Sequence, residues 1–205
     1  MQFIEFKQNI KDLKVFNLRD IRKLEADFDL RRLNEWQKKG YIKMILRGYY
    51  VFADVQASEN TLFVIANTMR KPSYVSLEAA LSVYGLIPET VYSITSVTST
   101  KTARFDTSLG RFSYRHIKPE LMFGYEVRTV GDDRYDIADM EKTVLDYLYF
   151  HPDMLEDADF AGWRFNSHEF KSRADMAKFK RYEAAFHSKE LSKRVSAFIS
   201  YIEHA

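Results

Sequence analysis

Asp29–Phe52 reads D-L-R-R-L-N-E-W-Q-K-K-G-Y-I-K-M-I-L-R-G-Y-Y-V-F and joins a short amphipathic segment to a basic hairpin. On a helical wheel of about 100° per residue, Leu33 centres an apolar stripe that includes Leu30, Trp36 and Gly40. Arg31, Glu35 and Lys38 fall near the opposite pole, with Arg32, Asn34 and Lys39 beside them. Gly40 stands just past Lys39, where a left-handed residue closes a helix. Tyr41–Leu46 and Tyr49–Ala53, rich in β-branched and aromatic residues, flank Arg47-Gly48 and predict two paired strands.

Upstream, Phe3, Ile4, Ile10 and Leu13 recur at helical spacing and predict a first helix over 2–14. Asn17, with Asp20 three residues on, signals the start of a second over 18–26 that carries Leu18, Ile21 and Leu24 on one face. Asp27 or Asp29 caps the third. Three helices and then a hairpin is the order of a winged helix-turn-helix, and residues 1–55 are expected to form one.

Downstream the texture becomes α+β, and residues 56–205 are expected to form a second domain with a mainly antiparallel sheet and C-terminal helices. A connecting helix lies within 54–72 and ends before Pro72, and Ser76 caps another that stops at Gly85. Val91–Thr100, Ala103–Thr107, Arg111–Lys118 and Tyr125–Val130 are strand-like, with turns at 108–110 and 131–133. Asp139 opens a helix closed by His151-Pro152; an acidic loop (Asp153, Glu156, Asp157, Asp159) precedes two final helices, over 166–186 and 189–203.

The 205 residues, 46% hydrophobic and 15% aromatic, suffice for a sizeable core and argue against a disordered chain. The sequence has no cysteine, which excludes disulfides, thiolate catalysis and cysteine-ligated metal. No run reaches the roughly 18 apolar residues of a membrane span, and the N-terminus lacks the pattern of a signal peptide, so a cytoplasmic location is expected. The net charge of +2 is unevenly spread: residues 1–55 hold twelve Lys/Arg against eight Asp/Glu, a net of +4, which leaves −2 for the rest. That bias favours contact with nucleic acid.

The polar pole of the third helix suits a major groove. Arginine reads guanine, asparagine reads adenine, and glutamate accepts from cytosine. Arg31, Arg32, Asn34, Glu35 and Lys38 are therefore the candidate reading and holding residues, with Lys39 at the helix end on phosphate. Lys43 and Arg47 of the hairpin, with Tyr49 beside them, suit the backbone or minor groove. The same face also fits a plain solvated helix surface. Lys101, Arg104, Arg111, Arg115 and Lys118, along adjacent strands with Tyr114 and His116, form a candidate second surface for an anionic partner, or an ordinary charged sheet face.

No catalytic residue, metal site or cofactor is expected. The five histidines (His116, His151, His168, His187, His204) never pair at helical spacing, and phosphate-loop, dinucleotide and nucleophile-elbow motifs are absent. Asp139, Glu141 and Lys142 resemble a nuclease-like acid–lysine cluster, but acids also favour a helix start for the sake of the dipole.

Longer runs carry a family resemblance: W-Q-K-K-G-Y-I at 36–42, R-G-Y-Y-V-F at 47–52, and P-S-Y-V-S-L-E-A-A-L-S-V-Y-G-L-I-P-E at 72–89. It continues in V-Y-S-I-T-S-V-T-S at 91–99, F-D-T-S-L-G-R-F-S-Y-R-H-I-K-P-E-L-M-F-G-Y at 105–125 and I-A-D-M-E-K-T-V-L-D-Y-L at 137–148. The chain resembles the AbiE-type antitoxins of abortive-infection systems, transcriptional regulators of type IV toxin–antitoxin operons. Met140 departs from the family pattern, which has proline at this helix start. The resemblance implies an autorepressor that binds double-stranded operator DNA, and a second domain that counters a nucleotidyltransferase-like toxin without a stable complex. Two alternatives stay open: a protein-interaction module, and a solitary winged-helix regulator without a toxin. The sequence also leaves a homodimer open.

Overall fold

In the computed structural model, which describes residues 2–88 and 93–204, the chain opens with α1 (Phe3–Asn9), β1 (Phe16–Asn17), α2 (Leu18–Leu24) and α3 (Arg31–Lys38), followed by β2 (Ile42–Leu46) and β3 (Tyr49–Phe52). Asn17 caps α2 as expected: its side chain accepts from the Arg19 N–H (2.8 Å) and the Asn17 N–H donates to Asp20 (3.1 Å). The first helix is shorter than its periodicity implies. Ile10 leaves helical geometry, and a turn in which the Leu13 N–H donates to the Ile10 carbonyl (2.9 Å) redirects the chain. That turn sends Val15 into one core and Phe16 into register with Tyr50.

β1, β3 and β2 form an antiparallel three-stranded sheet in that order, with Phe16 opposite Tyr50 and Ile42 opposite Phe52. Phe16, Ile42 and Phe52 pack with Phe6, Ile10, Ile21, Phe28, Leu33 and Trp36 in a small aromatic-rich core under the helices. Val15, Ile45 and Val51 belong instead to the large core of the remaining chain. A register shift between Met44 and Leu46 lets Ile45 turn toward that second core. The sheet thus contributes apolar side chains to both cores, while Lys43 and Met44 stay exposed.

The remainder comprises α4 (Glu59–Met69), β4 (Ser73–Val75), α5 (Leu77–Val83), β5 (Ser93–Thr98), β6 (Ala103–Thr107) and β7 (Gly110–His116). After a 3-10 turn at Pro119–Leu121 come β8 (Tyr125–Val130), β9 (Asp133–Ala138), α6 (Met140–Phe150) and α7 (Asp157–Trp163). The chain then runs through α8 (Ser167–Arg173), α9 (Met176–Ala185) and α10 (Lys189–His204). The strand expected over Val91–Thr100 begins on residues 91 and 92, which lie outside the described residues. The six-stranded sheet runs β6-β7-β5-β4-β9-β8. Its β6–β7, β5–β4 and β8–β9 pairs are antiparallel, while β5–β7 and β4–β9 are parallel, so the sheet is mixed rather than simply antiparallel. The β4–β9 pair joins two strands that the sequence does not announce, and β5 and β7 run parallel because the intervening strand β6 lies outside β7 at the sheet edge.

Two further departures have local causes. The acidic loop is a helix: Asp159 accepts from the N–H groups of Leu155 (3.0 Å) and Glu156 (2.9 Å), and α7 buries Phe160 and Trp163. The single helix expected over 166–186 is two, because Ala174 is extended and Asp175 starts α9 afresh by accepting from Ala177 and Lys178 N–H. No helix among the described residues is long and apolar enough to cross a membrane.

At the centre of the large core α6 carries a buried ion pair. Lys142 and Asp146, one turn apart, are both 0% exposed and directly bonded through Nζ and Oδ1. Tyr74 (3.0 Å) and Ser76 (2.9 Å) donate their hydroxyls to the other Asp146 oxygen, and the Lys142 ammonium lies within 5.0 Å of the Phe123 ring and 4.8 Å of the Phe186 ring. Burial pushes the ammonium below its ordinary pKa and the carboxyl above its own, and the partnership opposes both shifts. Gly124 allows this approach: with φ +69°, a Cβ on it would lie 2.9 Å from Lys142 Cβ and 2.8 Å from the Tyr182 ring. Removing one member of a buried pair strands the other. Lys142→Ala should therefore lower the unfolding free energy by about 3–5 kcal/mol in urea denaturation; a loss below about 1 kcal/mol would show that the pair does not hold the core.

Candidate nucleic-acid interface

Leu33 and Trp36 seat α3 in the small core. Trp36 stacks on Phe6 (4.9 Å between centroids) and meets Phe3 and Phe28 at 5.3 and 5.5 Å. Asp29 starts the helix by accepting from the Arg31 N–H (2.9 Å). At its other end the Gly40 N–H donates to Gln37 O (3.0 Å) and the Tyr41 N–H to Trp36 O (2.9 Å), with Gly40 at φ +69°. This closure sends the chain directly into β2.

The anchoring fixes which side chains face outward, and they fall into two rows rather than one pole. Arg31, Asn34 and Lys38 are exposed and have no side-chain partner among the described residues. Arg32, Glu35 and Lys39 instead border a cleft of about 760 Å³ between α1 and α3, whose walls include Phe3, Ile4, Trp36 and Tyr41. Arg32 is half-buried and lies 4.0 Å from the Glu25 carboxylate, so it is the one candidate on this helix already engaged by the fold. The wheel treats Arg31 and Arg32 as near equivalents. The proximity of α2's C-terminal Glu25 to only one of them separates the two.

In the hairpin Lys43 is exposed at the position opposite Val51, and Arg47 is exposed in the turn; neither has a partner among the described residues. Tyr49 packs against the large core and serves the fold. Lys7 pairs with Asp54 (2.6 Å), Lys14 with Asp133 (3.5 Å), Lys23 with Asp20 (3.2 Å) and Arg32 with Glu25, whereas Arg31, Lys38, Lys39, Lys43 and Arg47, like Lys11, Arg19 and Arg22, have no ion pair among the described residues. Such a field draws a polyanion.

The five bases of the second surface do not stay together. Arg104, Arg111 and Arg115 share a cavity with Glu78, Ser93, Thr95, Ser113 and His151, while Lys101 and Lys118 lie in loops outside its lining. Arg111 pairs with Asp106 (2.8 Å), and the guanidinium of Arg115 lies over the Phe150 ring (4.9 Å). Glu78 and His151 gave no signal in the sequence, because only the parallel β5–β7 pairing and the end of α6 bring them to the arginines. His116 lies on the other face of β7; its Nδ1 donates to the Thr100 carbonyl (3.0 Å).

The acid–lysine cluster is built into α6. Asp139 caps the helix through the Lys142 N–H (2.8 Å), Glu141 is buried against the Asp175 N–H (2.7 Å) and Lys178 (2.6 Å), and Lys142 lies in the core. Burial raises the Asp139 carboxyl above its ordinary range, opposed by the Lys142 N–H and by Lys178. Among the described residues no three His, Asp or Glu side chains gather as metal ligands.

A Cβ at Gly40 would meet nothing within 4 Å, so its substitution isolates the cost of the left-handed backbone. Gly40→Ala should destabilise the protein by about 1 kcal/mol in thermal or chemical unfolding, with the secondary-structure content unchanged; no measurable change would mean that the α3–β2 closure is not a constraint. No protein-family model matches the chain, and no curated protein matches it, so function has to be argued from these residues and their geometry.

Proposed function

We propose that the chain is a non-enzymatic DNA-binding transcriptional regulator in which residues 1–55 act as a winged helix-turn-helix on double-stranded operator DNA. The observation that carries this reading is the exposed, unpaired row Arg31, Asn34 and Lys38 on α3, followed directly by the unpaired hairpin bases Lys43 and Arg47. The element order α1-β1-α2-α3-β2-β3, with the sheet ordered β1-β3-β2, supports it, since that order places a recognition helix ahead of a hairpin wing. Arg31 and Asn34 have the chemistry to read guanine and adenine, and Lys38, Lys43 and Arg47 that to hold phosphate. Arg32 and Glu35 take a lesser part, since both lie toward the α1 cleft.

The antitoxin role rests on the resemblance carried by residues 72–148, which form β4 to β9, α5 and most of α6. In this reading the second domain counters a nucleotidyltransferase-like toxin, and the DNA-binding face represses the shared operon. Val15, Ile45 and Val51 tie the first 55 residues into the large core, so deleting them would expose apolar surface and confuse the two roles. Point variants of exposed residues separate the roles more cleanly.

One observation favours the second reading, a protein-interaction module. β8 is an edge strand with Tyr125, Val127 and Val130 exposed, and an open edge accepts an added strand through main-chain bonds. A partner that co-purifies from the native host at one-to-one stoichiometry, together with DNA binding indifferent to sequence, would favour that module over the regulator.

Fluorescence anisotropy at fixed salt, with a duplex taken from upstream of the protein's own reading frame, tests the leading proposal. Arg31→Ala should cost about 1–3 kcal/mol of affinity and relax sequence preference. Arg47→Ala should weaken all duplexes alike and reduce the salt slope by about one. Unchanged affinity in both variants would contradict the assignment. Rescue from a co-expressed toxin should survive both substitutions; rescue lost together with DNA binding would place the antitoxin activity in the operator contact itself.

A further inference from the structure

A second built site lies on the six-stranded sheet, away from α3. The register of β5, β7 and β6 sets Ser93 opposite Arg111, Thr95 opposite Ser113 and Ser113 opposite Arg104, so these side chains and that of Arg115 share one face. Phe112 and Tyr114, at the alternate positions of β7, point into the core. The first turn of α5 brings Glu78 to the rim and the end of α6 brings His151, which border an open cleft of about 400 Å³. That volume is within the roughly 300–1,000 Å³ of small-molecule sites.

The lining has more positive charge than the fold consumes. Arg115 is held in place, over the Phe150 ring and donating to the Phe150 carbonyl (3.5 Å). Arg111 pairs with Asp106 through Nε alone, and both side chains are largely exposed, where such a pair is weak. Arg104 has no partner among the described residues. Guanidinium groups are the side chains best matched to phosphate, because their planar forks donate two parallel hydrogen bonds.

Glu78 adds an acceptor beside the arginines. Its Oε2 is buried, accepts no hydrogen bond, and has no ion pair with the three arginines among the described residues. A buried acceptor left unmet is costly, and a ligand donor is what would meet it. His151 offers a second polar contact. Its Nδ1–H donates to the Tyr147 carbonyl (2.8 Å), which leaves Nε2 without a partner among the described residues.

We propose that this cavity binds a small phosphorylated ligand that also carries a hydroxyl or amino donor, as a nucleoside phosphate does. Arg104, Arg111 and Arg115 take the phosphate oxygens, and Glu78 accepts from the donor. The concave shape and the absence of Lys101 and Lys118 from its lining set it apart from a duplex-binding face. The site does not depend on the operator contacts of α3.

Isothermal titration of the full chain at fixed ionic strength, with ADP, inorganic phosphate and adenosine as probes, tests it. ADP should bind saturably at one site and adenosine far more weakly. Arg104→Ala and Arg111→Ala, both at exposed positions and checked for intact folding by circular dichroism, should each weaken ADP about tenfold or more. Arg31→Ala should leave ADP binding unchanged. Glu78→Ala should weaken ADP several-fold yet tighten inorganic phosphate, because it removes both an acceptor and a repelling charge. The proposal is overturned if ADP does not saturate, if adenosine binds as well as ADP, or if Arg104→Ala has no effect on ADP. It is equally overturned if Glu78→Ala tightens ADP, or if duplex affinity falls in Arg104→Ala while ADP binding does not.

Discussion

Both faces of the three-stranded sheet send apolar side chains into a core, and the seating of α3 and of the hairpin follows from it. Phe16, Ile42 and Phe52 hold the helices on one side, and Val15, Ile45 and Val51 reach the large core on the other. Burying an aliphatic or aromatic side chain stabilises by about 1.5–3 kcal/mol. The exposed ion pairs nearby are worth at most about 1 kcal/mol each, so apolar packing, not charge, decides how α3 and the hairpin are carried. Exposed charge on α3 and the hairpin is left without ion pairs among the described residues. The same double burial joins the first 55 residues to the rest, through the Lys14–Asp133 pair as well as through the shared core.

The large core has its own constraint. Lys142 and Asp146 replace what would otherwise be apolar volume between α6, β4 and α9, and two hydroxyls and three aromatic rings surround them. A pair of this kind costs desolvation and specifies alignment. It fixes α6 against the central strand β4, and α6 in turn ends at Phe150 and His151, which border the arginine cavity. The two candidate sites therefore rest on different anchors, one on the aromatic packing of Trp36 and the other on the placement of α6.

Much of this was legible in the residues where the signal is local. The starts of α2 at Asn17 and of α6 at Asp139 each depend on one side chain meeting backbone groups within a few residues, and the end of α3 at Gly40 and the Arg47-Gly48 turn each depend on a glycine at positive φ. What stayed hidden depends on distant partners. β1 and β4 have two and three residues and exist only through pairing, so no periodicity announces them. The difference between Arg31 and Arg32 is set by Glu25, and the isolation of Lys101 and Lys118 from the three arginines is set by the sheet register. Glu78 and Arg104, 26 positions apart in sequence, line one cavity only because β7 lies between β5 and β6.

The central claim is that the fold presents α3 and the hairpin, as one rigid unit, to duplex DNA. Amide hydrogen exchange of the full chain, with and without a duplex from upstream of its own reading frame, tests this without any substitution. The account predicts slowed exchange across residues 31–47 on duplex addition, with β6 and β7 unchanged. Unaltered exchange across 31–47, or protection confined to the strands around Arg104 and Arg111, would contradict it.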